Sequence, residues 1–176
     1  MQTNLILVDE NDKMIGTAEK LDAHKNGLLH RAFSILIFNS KNEMLLQKRA
    51  LHKYHSGGLW TNACCSHPRL NEDLDVAIHK RLLEEMGFDC MLEKKFEFIY
   101  KIWLKKDQIF EHEYAHVFVG KYDGIVIPNP EEADKIKWIA LSELNSDIQT
   151  NPENYTFWFR EIMAKSRENK KTPNQK

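Results

Sequence analysis

The stretch "NEDLDVAIHKRLLEEMGF", Asn71–Phe88, decides how the rest of the chain is read. It has the marks of a helix: Asn71 and Asp73 are both N-cap candidates, and Gly87 supplies the C-terminal stop. At about 100° per residue, Leu74, Ala77, Ile78, Leu82 and Met86 trace one broad apolar arc. Two charges, Arg81 and Glu85, fall inside that arc rather than opposite it. One reading is an i,i+4 ion pair at the rim of the core. The other is an arc facing a polar cavity, where Glu85 binds a cation and Arg81 an anion. Lys80 and Glu84 lie further round and read as a solvated pair.

Strands bracket this helix. Upstream, Asn4–Val8 and Met14–Glu19 read as two strands joined at the turn-rich "DENDK". The near-continuous apolar run "RAFSILIF", Arg31–Phe38, is a buried strand, and "EMLLQKR" is its hairpin partner across the turn "NSKN". "ALHKYHSGG", Ala50–Gly58, has the glycines and histidines of a loop at a functional edge, and Trp60–Cys65 is a short strand leaving it. Downstream, "KFEFIYKIWL" and "QIFEHEYAHVFVGKY" alternate as long strands, and "KIKWIAL" is another. A short helix is expected from Ser142, and a longer one from Asn151-Pro152, a cap followed by proline. The end, "SRENKKTPNQK", is polar and expected to fray. Strands before and after one strong helix indicate a single-domain α/β sandwich with a mixed sheet.

Bulk properties narrow the function. The chain has 176 residues and a net charge of −1, so it carries no broad footprint for nucleic acid or a membrane surface. Local Lys and Arg can still hold a small anion. Three cysteines, two of them adjacent, make no disulfide framework. The N-terminus reads as a first strand rather than a signal peptide. No apolar stretch approaches the roughly 20 residues that span a bilayer. A reducing, cytoplasmic setting is the expectation, with the chain acting as a monomer or homodimer.

A second anomaly lies in "IFEHEYAHVFVG". Side chains alternate along a strand, so Glu111, Glu113, Ala115, Val117 and Val119 share one face. Two carboxylates therefore continue an inward-facing apolar strip. Such acids repel, and a cation between them resolves the conflict. The alternative is a strand end with both acids in water. His24, His30 and His67 are further candidate ligands, since imidazole with carboxylate suits a divalent transition metal. His52, His55, His79, His112 and His116 have no assignment, and His112 and His116 should point away from Glu113.

In "TNACCSHPRLNED", Thr61–Asp73, Cys65 and His67 project to one side and Cys64 to the other, into packing. Cys65 is either a soft metal ligand or a thiol acting as acid or base. The pattern lacks the second ligand pair of a structural zinc site. Cys90 reads as an inert thiol.

Together, "KNGLLHRAFSILIFN", "GLWTNACCSHPR", "AIHKRLLEEMGF" and "FEHEYAHVF" resemble the type 1 isopentenyl-diphosphate delta-isomerases. The likeness runs from about residue 3 to residue 165, and it implies a Nudix-like α/β/α sandwich over 1–165 with a polar tail at 166–176. The Nudix hydrolase box reads G-x5-E-x7-R-E-U-x-E-E-x-G-U, with U apolar. Glu72, Leu82, Glu84, Glu85, Gly87 and Phe88 fit it, but Ser66 replaces the first glycine and Lys80-Arg81 replace Arg-Glu. That loss argues for the isomerase and against the alternative, a Nudix hydrolase of a nucleoside or prenyl diphosphate. A metal-stabilised binding domain without activity is a third reading. "KYHSGGLW" also departs from the family in lacking a proline before the corresponding glycine.

The resemblance implies site roles. A divalent metal (manganese, zinc or magnesium) would be held by His24, His30, His67, Glu111 and Glu113. Cys65 and Glu113 would be the catalytic pair, with Tyr100 supporting the glutamate. Lys20, Arg49, Lys53 and Arg81 would hold the substrate diphosphate, and Glu85 a magnesium ion that comes with it. Trp158 would lie over the hydrocarbon end on a helix acting as a lid. The reaction implied is isomerisation of isopentenyl diphosphate to dimethylallyl diphosphate. It needs an acid and a base on opposite faces of an unactivated alkene.

Overall fold

The computed structural model describes residues 4–171. Among them, nine strands form one mixed sheet and four α-helices pack on it. β1 (Asn4–Val8) and β2 (Met14–Glu19) form a hairpin across a turn closed by the Asp9 carboxylate, which accepts from the Asn11 and Lys13 amides. A helix that periodicity did not reveal follows, α1 (Lys20–Asn26). Its ends explain it: the Glu19 carboxylate accepts from the Asp22 amide, and Gly27 closes it at φ 61°. Seven residues are too few for an apolar stripe to show.

β3 (His30–Phe38) runs through the middle, paired in parallel with β8 (Ile109–Lys121) from His30↔Glu113 to Phe38↔Lys121. β7 (Leu92–Leu104) lies antiparallel on the outer side of β8. The turn after β3 is where expected, but the hairpin with β4 (Glu43–Arg49) is hardly one: the strands pair only at Phe38↔Met44. They then splay apart. The segment read as one strand from Trp60 is two, β5 (Trp60–Asn62) on β4 and β6 (Cys64–Ser66) on β3, together filling the opening. β4 is satisfied along its other edge by β9 (Ala133–Ala140).

Each sheet face is covered. α2 (Leu74–Met86) starts at the Asp73 cap and stops at Gly87 (φ 76°). It buries Ala77, Ile78, Leu82 and Met86 against Phe33, Ile35, Cys64 and Phe118. Each large aliphatic side chain so buried contributes about 1.5–3 kcal/mol. On the other face, α3 (Leu141–Thr150) and α4 (Phe157–Lys171) set Leu144, Ile148, Phe159 and Ile162 against Leu36, Leu46, Ala115 and Val117. The fold is an α/β/α sandwich.

Pro152 does not open the last helix. It opens a separate 3-10 turn, Pro152–Asn154, and α4 begins at Phe157. Phe159 and Ile162 are fully buried, so α4 is a fixed wall of the core rather than a lid. The helix continues into the segment expected to fray, whose residues 172–176 lie outside the described ones. No described helix is long and apolar enough to cross a membrane.

Candidate active site

The splay between β3 and β4 positions the site. A cavity of about 170 Å³ opens there between β6, β8, the loop 50–59 and the start of α4. Glu111, Glu113, Cys65, Arg81, Lys53 and Trp158 all line it.

One end is rich in histidine. α1 delivers His24, the first residue of β3 is His30, His67 follows β6, and β8 contributes Glu111 and Glu113. His24 Nδ1 sits 2.6 Å from the Lys20 carbonyl and His30 Nδ1 2.9 Å from that of Leu28. A neutral ring that donates from Nδ1 has only a lone pair left on Nε2. Those bare nitrogens face acceptors: His24 Nε2 is 3.4 Å from Glu111 Oε1, and His30 Nε2 is 3.9 Å from Glu113 Oε1. His67 Nε2 lies 3.2 Å from the same Glu113 oxygen. Among the described residues, His24 Nε2, His30 Nε2 and Glu111 Oε1 are buried without a hydrogen-bond partner. Orphaned acceptors converging in this way fit a missing cation, and the groups His24–His30–His67 and His30–Glu111–Glu113 each have the spacing of a metal site. Burial pushes the His30 imidazole down to about 4 and His67 well below its usual range, which keeps both neutral and able to ligate. Burial also opposes charge on His24, but Glu111 beside it tips that group upward.

Cys65 and Glu113 flank β3, one on β6 and the other on β8. The Cys65 thiol donates to Asn62 Oδ1 at 2.9 Å and lies 3.3 Å from Ser34 Oγ. Burial raises it to about 11, with Ser34 and Asn62 opposing, so it is a protonated thiol near neutral pH. Tyr100 stands directly opposite Glu113 in the β7–β8 register, and its hydroxyl donates to Glu113 Oε2 at 2.8 Å. Burial, then the nearby carboxylates, hold that phenol protonated. Cys64 is wholly buried on the α2 side of the sheet.

The opposite end is rich in paired charge. Arg81 reaches Glu84 at 2.6 Å, Glu85 at 2.7 Å and Glu132 at 3.4 Å, while Lys53 holds the second Glu132 oxygen. Burial raises the Glu85 carboxyl and Arg81 opposes the rise. Both readings of the arc anomaly are thus partly met: the i,i+4 pair exists, and Arg81 also lines the cavity. Lys80 pairs with Glu72 at 3.4 Å rather than with Glu84, because Arg81 has taken Glu84. Trp158 Nε1–H donates to Thr61 Oγ1 at 3.0 Å, and the Arg49 guanidinium lies 5.3 Å from the indole centroid.

The NUDIX domain family matches residues 28–164. Isopentenyl-diphosphate Delta-isomerase 2 of Aromatoleum aromaticum is 52% identical over 158 residues, covering 90% of this chain and 83% of that one. The protein of the same name from Photorhabdus laumondii is 52% identical over 163 residues, covering 93% and 92%. The chain belongs to the isopentenyl-diphosphate Delta-isomerase family of Nudix proteins. Among solved structures, a Deinococcus radiodurans protein superposes with a TM-score of 0.76 at 16% identity, covering 92% of this chain and 98% of that one. At that identity the likeness concerns the fold.

For this family member, the structure brings together most of the residues named from the sequence. Lys20, Arg49, Lys53, Cys65, His67, Arg81, Glu111, Glu113 and Trp158 line the cavity, and His24, His30, Tyr100 and Glu85 stand directly behind them. His112 and His116 point away, to the Gly27 carbonyl and to Asp12. Phe33, Tyr54, His55 and Glu132 also line the cavity and were not singled out as site residues. Glu132 comes from a loop whose sequence carries no local signal, and His55 was one unassigned histidine among eight. The one sign of His55 was its place in "KYHSGGLW", where the chain departs from the family pattern.

Proposed function

We propose that this enzyme converts isopentenyl diphosphate to dimethylallyl diphosphate in isoprenoid biosynthesis, with Cys65 and Glu113 as its proton-transfer pair. The observation that carries the reading is that these two groups, from strands on either side of β3, face one cavity that also presents Lys20, Arg49, Lys53 and Arg81. One member of the pair gives a proton to the terminal methylene, leaving a tertiary cation. The other takes a proton from the adjacent methylene, so the alkene shifts and no proton is gained or lost overall. The Cys65 thiol, held protonated, and Glu113, steered by Tyr100, supply one site each. The Trp158 indole face shields a developing cation without trapping it, and the wall formed by α4 excludes water.

His24, His30, His67, Glu111 and Glu113 would hold the divalent metal (manganese, zinc or magnesium), which when bound supplies positive charge that tunes the Glu113 carboxyl. Glu85 keeps acceptor capacity beyond Arg81, its other oxygen lying 3.4 Å from Gln47 Nε2, and would serve a magnesium ion arriving with the diphosphate. The four cations would orient the diphosphate, with Glu132 relinquishing Lys53 and Arg81. Three free cysteines support a reducing, cytoplasmic setting.

A hydrolase reading is disfavoured by the same helix. Arg81 stands where the hydrolase box has a glutamate, and it neutralises Glu84 and Glu85 instead of joining them around a metal. Incubation with divalent metal and isopentenyl diphosphate should yield dimethylallyl diphosphate, read by chromatography. Inorganic phosphate as the main product would overturn the proposal.

A further inference from the structure

His55 sits where three parts of the site meet. Its Nε2 is 3.2 Å from Glu111 Oε1, its ring stands edge-on to Trp158 at 5.5 Å and 74°, and its backbone carbonyl accepts from Arg49 Nη2 at 3.3 Å. The side chain is 9% exposed, and Nδ1 is buried with no partner. Its chemistry toward Glu111 is opposite to that of His24. The His24 Nδ1 proton goes to a carbonyl, which leaves a lone pair facing the carboxylate. His55 makes no such contact at Nδ1, so the proton of its neutral ring belongs on Nε2, where Glu111 can accept it. One carboxylate oxygen is thus offered a lone pair on one side and a proton on the other.

We infer that His55 is a positioning residue for the metal centre: its Nε2, 3.2 Å from a Glu111 oxygen that has no hydrogen-bond partner in this structure, donates its proton to that carboxylate and fixes it once the centre is loaded, while its ring and carbonyl tie the centre to Trp158 and Arg49. His55 could instead join His24 and Glu111 as a ligand, since the spacing of those three allows it. However, among the described residues no group of metal spacing combines His55 with His30, His67 or Glu113, so the tautomer and the geometry favour an outer donor. The inference rests on the metal reading given above and is independent of which reaction the enzyme performs.

The test is direct titration of the metal-free full chain with Mn²⁺ against a competing chelator. His55→Phe keeps the ring but removes the donor, and it should weaken Mn²⁺ binding by about 10–100-fold. His55→Gln, which restores a donor at similar reach, should recover affinity to within about threefold of native, on the same scale of outer-partner effects. Native affinity in the Phe variant, equal loss in the Gln variant, or no Mn²⁺ binding by the native chain would each overturn the inference. If His55→Phe does not fold, His55→Asn, polar but too short to reach Glu111, carries the same expectation. Absence of isomerase activity alone would count against the proposed reaction and leave this test intact.

Discussion

The two ends of the cavity hold similar numbers of carboxylates but settle their charge differently. At the Arg81 end, Glu84, Glu85 and Glu132 are each met by guanidinium or ammonium from the chain itself. At the histidine end, Glu111 and Glu113 lie against imidazoles rather than guanidinium or ammonium, and His24 Nε2, His30 Nε2 and Glu111 Oε1 are buried without hydrogen-bond partners among the described residues. The first end is closed by its own cations and can exchange one anion for another. The second has the spacing of a site that could take a cation from outside. Under the proposed function, the diphosphate would lie toward the Arg81 end and the metal at the histidine end, where Glu113 stands, with Cys65 lining the same cavity.

Three experiments can break or sharpen that contrast. The largest effect is expected from Cys65→Ala or Glu113→Gln, each of which should lower kcat by about 10³-fold or more with an unchanged circular dichroism spectrum. Retention of substantial turnover in either would remove the pair from the mechanism. Next, Arg81→Ala leaves Glu85, only 2% exposed, as a buried charge without its partner. A loss of about 3 kcal/mol in urea denaturation is expected. An undiminished midpoint would mean that this end, too, depends on an ion from solution. The smallest effect is that of metal on the native chain. At about 100 times its Kd, a bound ion stabilises by about 2.7 kcal/mol, which for a chain of this size raises Tm by about 5–10 °C. Identical melting curves with and without metal would show that the histidine end satisfies itself.

Much of this was legible in the sequence because it rests on period. The α2 arc, its stop at Gly87, and the inward face of β8 follow from spacings of 3.6 and 2. So does the division of Cys64 and Cys65 between two faces of the sheet. What escaped depends on tertiary pairing or on elements too short to have a period. α1, which carries His24, is defined by its two caps rather than by a stripe. The separation of β3 from β4 cannot be read from either strand, since each looks like half of an ordinary hairpin; only β5 and β6, arriving later in the chain, force it. Pro152 is a legitimate helix-start signal that was spent on a 3-10 turn, because Tyr155 and Thr156 return to extended backbone to pair with Trp60 before α4 begins. His55 and Glu132 have their meaning only in three dimensions.

The parallel pairing of His30 with Glu113 has a consequence for how the molecule is made. The proposed ligands are scattered from residue 24 to residue 113, and they come together only when β8 docks beside a strand formed far earlier in the chain. Contacts of such long sequence separation form late, after the loop entropy between them has been overcome. A metal ion held at the histidine end would therefore find its complete set of ligands only near the native state. It would act as a latch on the finished topology, slowing escape from the fold rather than hastening entry.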